Sequence, residues 1–333
     1  MSLAVQPGQK VRVAVVGAGD FGRNHARVYR ELGEAELIGI VDPNPDRAAQ
    51  IAAEFSTKVF PDIEALAGLV DAASVAVPTV AHARVGCRLM ELGIDVLVEK
   101  PMAVSLAQAD ELLDTASNAG RILQVGHLER FNPAITAVMP VLNRPLYFEV
   151  HRLGVFTPRS LDIDVVYDVM IHDLDILLAL VDAPVVDIKA IGIPVLTDKV
   201  DIAHARLDFE TGAVANVTAS RVSTERVRKM RFFQEHEYIS LDFARQDALR
   251  IRVRPGSGLP QPEIGFEKLA TTPEEPLRAE LRAFVDSVRT RRAPVVDGAA
   301  GLRALELADR VMASILEHAR RVQLSVFTPQ EIR

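Results

Sequence analysis

Asp168, His172 and Asp175 recur at helical spacing in one short, mostly apolar stretch. Between Asp164 and Asp175 the chain reads Asp-Val-Val-Tyr-Asp-Val-Met-Ile-His-Asp-Leu-Asp and runs on into Ile176-Leu177-Leu178-Ala179-Leu180-Val181. On a helix, Asp168, His172 and Asp175 stand at i, i+4 and i+7 and share one face. Most other positions are apolar, so the helix is expected to be largely buried, and carboxylates are rarely buried without partners. A carboxylate one turn from an imidazole fixes the ring's tautomer and stabilises its charged form, which suits a proton-handling site. The competing reading is a solvated stripe on an amphipathic helix, and the rest of the chain decides between them.

At the other end of the chain the run Val11–Val16 leads directly into Gly17-Ala18-Gly19-Asp20-Phe21-Gly22, followed by a helical pattern. In that context Gly17 permits a tight turn, Gly19 lets a pyrophosphate approach the backbone, and Gly22 allows close helix-to-strand packing. The helix N-terminus adds amide donors and partial positive charge. Asp42 closes the next strand-like run, 20 residues after Gly22, where an acid binds the ribose 2′-hydroxyl of NAD. A 2′-phosphate would meet a like charge there, so NAD is favoured over NADP, with Arg23 and Arg47 as the cations that would have to adapt to a phosphate. Two more strand ends carry unusual residues: Pro78-Thr79 with His82 in the next helix, and Glu99-Lys100-Pro101. Ligands of open α/β sheets bind outside the carboxyl ends of strands. The expected cofactor set is therefore Gly17, Gly19, Asp20, Phe21, Gly22, Asp42, Pro78, Thr79, His82, Glu99 and Lys100. His82 reads also as a capping or packing residue, and His25 as structural.

The elements that must position these groups follow two rhythms. Up to residue 125, short β-branched runs (Val11–Val16, Leu37–Val41, Ala73–Val77, Val96–Val98, Ile122–Val125) alternate with helical patterns (Gly22–Leu32, Arg47–Phe55, Val80–Leu92, Leu106–Asn118). Such alternation predicts βαβ units and a doubly wound parallel sheet. From Gly126 onward the pattern is a short helix at Pro133–Leu142, a strand at Leu146–Phe156 and the acid–imidazole helix. Consecutive strands follow at Val185–Val195, Ile202–Phe209, Val214–Ser220, Lys229–Gln234 and Tyr238–Phe243, with a hairpin turn at Thr211-Gly212. Strands without intervening helices predict an antiparallel sheet. Pro255–Pro276 reads as loop, and the helical patterns Pro276–Arg291 and Gly298–Val322 follow. The expected fold is α/β: a doubly wound, dinucleotide-binding parallel sheet in residues 1–125, and an α+β domain with an antiparallel sheet in residues 126–333.

A chain of 333 residues suits two domains. Its net charge of −7 argues against nucleic acid as the main partner. One cysteine, Cys87, excludes an intrachain disulfide and a cysteine-based metal cage. That suits a reducing cytoplasm. No apolar run approaches the roughly 18 residues of a membrane span, and Met1 to Lys10 lacks the apolar core of a signal peptide. No tight His/Cys/carboxylate spacing offers a metal site.

The pieces Gly17-x-Gly-x-x-Gly22-x-x-His25, Pro78–His82, Glu99-Lys100-Pro101, Arg130-Phe131-x-Pro133 and Asp168-x-x-x-His172 occur in the order and approximate spacing of one family. The chain resembles the glucose–fructose oxidoreductase, inositol dehydrogenase and rhizopine catabolism (Gfo/Idh/MocA) family over nearly its whole length. The resemblance implies an N-terminal Rossmann domain (1–125) and a C-terminal substrate-binding and oligomerisation domain (126–333) on an open, mostly antiparallel sheet. It also implies Lys100, Asp168 and His172 as the catalytic set, NAD as cofactor, and homodimers or homotetramers assembled through the C-terminal sheet. Many members carry a Gly-Gly pair shortly before the aspartate. Here Asp164-Val165-Val166-Tyr167 stands in its place, a less permissive backbone that puts Tyr167 at the pocket wall and argues against polyol substrates. Within the family, Gly126–Pro133 and Met170-Ile171-His172-Asp173 are most similar to enzymes oxidising UDP-N-acetylhexosamines at the sugar 3-hydroxyl.

The chemistry so implied is hydride transfer between a sugar carbon and nicotinamide. His172 or Lys100 accepts the proton, Asp168 orients the ring, and Lys100 stabilises charge on oxygen. A diphosphate would need cations, for which Arg130, Arg159 and Arg152 are candidates, with Tyr167 beside them. Two other readings stand: a same-family dehydrogenase or reductase of a free sugar, cyclitol or other small carbonyl compound, and a non-catalytic dinucleotide-binding regulator or scaffold.

Overall fold

The computed structural model describes residues 9–157, 163–254 and 263–324. In chain order its helices are α1 (Asp20–Glu31), α2 (Pro45–Glu54), α3 (His82–Glu91), α4 (Leu106–Ala119), α5 (Pro133–Val138), α6 (Ile171–Val181), α7 (Pro276–Thr290) and α8 (Gly298–Arg321). The chain forms two compact units, one of Met1–Leu128 with Glu275–Leu302, the other of Glu129–Glu274 with Arg303–Arg333.

The first unit is built on β1 (Val11–Val16), β2 (Ala35–Val41), β3 (Lys58–Phe60), β4 (Ala72–Val75), β5 (Asp95–Glu99) and β6 (Leu123–Gly126). These six strands are parallel, in the order β3-β2-β1-β4-β5-β6. The order reverses between β1 and β4, which makes their carboxyl ends the switch point where a crevice opens. The central strands are buried on both faces and accordingly read as continuous Val, Ala and Leu. Local chemistry sets the helix ends. Asn44 accepts the amides of Asp46 and Arg47 ahead of Pro45 at the start of α2, and Ser105 accepts that of Gln108 at α4. Gly120, at φ 61°, closes α4 in the left-handed region.

A single cut at 125/126 does not describe this unit. The apolar stripe Leu277, Leu281, Phe284, Val285 and Val288 of α7 packs into the same core as Val13, Val15, Tyr29 and Ile40. Full burial of one such side chain contributes roughly 1.5–3 kcal/mol, so the returning helix is part of this unit's stability. An amphipathic stripe in sequence does not say which sheet it will cover.

The second unit holds β7 (Tyr147–Leu153), β8 (Val185–Ile193), β9 (Ile202–Phe209), β10 (Val214–Ser220), β11 (Val227–Gln234), β12 (Glu237–Asp242), β13 (Asp247–Arg254) and β14 (Glu263–Lys268). Their order is β14-β13-β12-β11-β7-β10-β9-β8. All pairings are antiparallel except β7 with β10. Strict alternation puts Phe148, Val150, Ala203, Ala205, Leu207, Val217, Met230 and Phe232 on the inner face, where they meet Ile171, Leu174 and Leu177 of α6 and Leu307, Val311 and Ile315 of α8. Part of the expected loop Pro255–Pro276 is strand: β14 pairs with β13 along Leu249–Arg254. β3 is likewise an addition, too short and too exposed to carry a hydrophobic signal.

The acid–imidazole segment departs most from its expected form. It is a helix, but Val166–Met170 forms a π-helical turn and the α-helix starts only at Ile171. The wider turn changes the phase of the face, a change often found at functional sites.

Candidate functional site

At the carboxyl ends of β1 and β2 the glycine-rich turn is closed from both sides. Gly17 donates its amide to Val41 O at 2.8 Å, and Ala18 donates to Asp42 Oδ2 at 2.6 Å. Gly17 adopts φ +106°, and a Cβ there would strike the carbonyl of Ala76. A Cβ on Gly22 would overlap the Gly17 carbonyl, whereas one on Gly19 would have nothing within 4 Å. The turn is thus tight behind and open in front. Gly19 is the N-cap of α1 and brings no capping side chain, which suits an anion at the helix start. Asp20 and Phe21 are exposed there. Asp42 also accepts the amide of Asn44 at 2.8 Å, with the Arg47 guanidinium 3.7 Å away. Arg23, by contrast, is tied to Glu54 and so already has a carboxylate to hold.

Beyond β4 and β5, Pro78 and Thr79 line the strand end, the first exposed and the second half-buried, and Lys100 is half-buried after Glu99. The Lys100–Pro101 peptide is cis. His82 is buried, with Nδ1 2.9 Å from Pro101 O and Nε2 2.9 Å from Val77 O. The ring thus lies between two backbone carbonyls, to one of which its neutral form donates, and it joins two strand ends. Burial lowers its affinity for a second proton, against the pull of those carbonyls and of Glu99. His25 is buried as well, its Nε2 2.8 Å from Glu99 Oε1.

In the second unit, Asp168 sits within the π-helical turn and His172 in the first turn of α6, both half-buried. The turn is anchored by Asp164, whose carbonyl accepts the amides of Tyr167 and Asp168 at 3.1 Å and whose carboxylate accepts that of Val200 at 2.8 Å. Tyr167 donates its hydroxyl to Asp309 of α8 at 2.7 Å. Burial and the Asp309 charge push the phenol far above its ordinary range, and burial pushes the Asp309 carboxyl up. Tyr167 thus braces the turn, which had been expected to offer its side chain to a pocket wall.

Asp175 follows His172 by three residues on α6. It is buried and accepts a hydrogen bond from Arg130 Nε at 2.8 Å. Arg152 is unsuited to grip a diphosphate. It is buried, forked onto Asp173 at 2.7 and 2.8 Å, bonded to Glu129 at 3.2 Å, and stacked on Phe243 at 5.3 Å. Burial alone would make its charge costly, but Asp173 and Glu129 hold it firmly protonated. Arg159 lies outside the described residues. Sequence reasoning missed the roles of Glu129 and Asp173. Their only sequence signal is that both are acids in otherwise apolar segments, next to residues already singled out.

Comparison with known proteins matches residues 11–127 to an oxidoreductase family with an NAD-binding Rossmann fold, and residues 148–239 to the Gfo/Idh/MocA C-terminal domain. The chain is 38% identical over 307 residues to a UDP-N-acetylglucosamine 3-dehydrogenase of Acidithiobacillus ferrooxidans, covering 92% of this chain and 97% of that one. This chain belongs to the Gfo/Idh/MocA oxidoreductase family. A solved structure of the A. ferrooxidans enzyme superposes with a TM-score of 0.87 at 37% identity, covering 92% and 97% of the two chains. An inositol 2-dehydrogenase of Rhizobium meliloti is 27% identical, over 92% of this chain and 97% of its own. As a Gfo/Idh/MocA oxidoreductase the protein is an enzyme with an NAD-binding Rossmann fold. Among its described residues no helix is long and apolar enough to cross a membrane.

Proposed function

We propose that the chain reversibly oxidises the 3-hydroxyl of a UDP-N-acetylhexosamine with NAD. The observation carrying this reading is identity of 38% along 92% of the chain to a relative of that named activity. The open front of the glycine turn and the start of α1 fit a pyrophosphate, and Asp42 fits a ribose hydroxyl. When bound, nicotinamide supplies the hydride acceptor. His172 takes the hydroxyl proton while Asp168 orients the ring and stabilises its charged form. Lys100 donates a hydrogen bond to the reacting oxygen and offsets its developing charge. Arg130 keeps guanidinium N–H groups beyond the one given to Asp175 and is the substrate-side cation proposed here.

The test is NADH formation on titration with UDP-N-acetylglucosamine, with Lys100→Ala and His172→Ala expected to lower kcat by about 10²–10⁴. No turnover, and no thermal shift with UDP, would remove the reading. Turnover of a cyclitol instead would favour the likeness to the inositol 2-dehydrogenase. For assembly we propose pairing of two copies through the outer face of the second unit's sheet, where Phe266, Ile264 and Phe233 are exposed. Light scattering tests this, with a monomer at micromolar concentration ruling it out. We also propose a cytoplasmic location, with which the single cysteine, Cys87, buried and free, is compatible.

A further inference from the structure

Glu99 is a buried carboxylate surrounded by bases. His25, on the helix that starts at the glycine turn, meets Oε1 at 2.8 Å. Oε2 accepts the backbone amide of Lys100 at 3.3 Å. Burial alone would favour the neutral acid, yet the hydrogen bond with His25 and the nearby Lys100 ammonium hold the group below the usual carboxyl range. Space for it is built in. Glu99 pairs in register with Gly126 of β6, and a Cβ on Gly126 would come within 2.9 Å of the carboxylate. On the other side of Lys100, His82 has Nδ1 2.9 Å from the carbonyl of Pro101 and Nε2 2.9 Å from that of Val77 at the end of β4; the neutral ring donates to one of them, and in the Nδ1–H tautomer that one is Pro101. The segment Glu99-Lys100-Pro101 is therefore held before the lysine by one buried ring and after it by another.

We propose that His25 and His82 are positioning residues for Lys100. Two buried imidazoles, from the helices that follow β1 and β4, fix the backbone on each side of the amine. The proposal rests on the role given above to Lys100. Because both rings act on one three-residue segment, removing either releases the same constraint, and their effects should not multiply. His25 also ties the lysine segment to α1, the helix that starts at the glycine turn.

The experiment compares His25→Ala, His82→Ala, the double variant, His25→Gln, whose amide can still donate to Glu99, and His82→Gln, whose amide can still reach one carbonyl. Each is assayed for kcat, KM and the pH profile of kcat with UDP-N-acetylglucosamine, for NAD affinity by calorimetry, and for thermal midpoint. A second readout needs neither cofactor nor turnover: the rate of reductive methylation of Lys100, followed by mass spectrometry. Both alanine variants should lose kcat by about tenfold or more, as small misplacements of a reacting group do, with KM and NAD affinity near native. The pH profile and the methylation rate should change with it. The double variant should be no worse than a few times the poorer single one, and His25→Gln should recover most of its loss. If an alanine variant fails to fold, the glutamine variants carry the same comparison. Native kcat, pH profile and methylation rate in both single variants would overturn the proposal. So would losses that multiply in the double variant and follow thermal midpoint and NAD affinity, the signature of fold support alone. Should Lys100→Ala keep native turnover, the catalytic reading of Lys100 fails, while an altered methylation rate would still establish the two-histidine brace.

Discussion

Replacing Arg152 by methionine leaves two carboxylates, Glu129 and Asp173, buried without the cation that holds them. The guanidinium makes two bonds to Asp173 and one to Glu129, and its side chain is 7% exposed, beside acids at 7% and 0%. Breaking such a pair from one side costs about 3–5 kcal/mol, because the stranded charges cost more than the lost attraction. With a urea dependence of about 3 kcal/mol per molar, the unfolding midpoint should fall by about 1–1.7 M. The companion variant Arg152→Met/Glu129→Gln/Asp173→Asn removes the charges together and should recover at least about 2 kcal/mol of that loss. Urea titrations followed by circular dichroism give both numbers. A single variant losing less than about 1 kcal/mol would refute the account of a buried triad. A triple variant as unstable as the single one would show that packing against Phe243, and not stranded charge, sets the cost.

Three further outcomes follow from the same coordinates. Asp42→Ser removes the acceptor of the Ala18 amide and the negative charge at the ribose position, and should shrink the preference for NAD over NADP by about tenfold; steady-state assays with both cofactors measure it, and an unchanged ratio would dismiss Asp42 as the selector. Gly22→Ala drives a Cβ into the Gly17 carbonyl and should abolish NAD binding in calorimetry while the second unit's sheet stays folded. Asp201 gives a pH signature. Burial pushes its carboxyl up, but amides of Leu196, Val195 and Thr197 hold it below the usual 3.8. Its stabilising contribution is therefore whole above the ordinary carboxyl range and is lost as pH falls through its lower folded value. Between about pH 5 and pH 2, Asp201→Asn should flatten the decline of the urea midpoint, and an unchanged slope would deny the carboxylate that role.

Much of this architecture is readable from residue pattern because the governing signals are local. The predominance of Val, Ala and Leu in β1, β4 and β5 announces strands covered on both faces, and the alternation in β9 and β10 announces one buried face. The glycine turn was legible for the same reason: three positions without side chains, each with a steric consequence. What pattern could not carry depends on partners far along the chain. His82 lies against carbonyls 5 and 19 residues away, so an unremarkable histidine becomes a link between strand ends only in three dimensions. Arg152 looked like a surface phosphate ligand until Glu129 and Asp173, 23 and 21 residues off, enclosed it. The π-helical turn escaped because an i, i+4 spacing of acid and imidazole is shared by both helix types, and Tyr167 with Asp309 lies 142 residues apart. Edge strand β14 is exposed along its length and shows no buried face to detect.

The returning segment Glu275–Leu302 also bears on how the protein is made. All six strands of the parallel sheet have left the ribosome's active centre by Leu128, yet the helix bringing Leu281, Phe284 and Val285 to their core is still about 150 codons away. At roughly 5–20 residues per second, that is an interval of about 8–30 s in which the nascent nucleotide-binding half exposes apolar surface it will later bury. Translation speed across the intervening strands, and whatever chaperone shields the unfinished face, therefore enter the yield of active enzyme. Ribosome stalling or slow codons placed just before Pro276 should lengthen that exposure and increase aggregation without altering one amino acid.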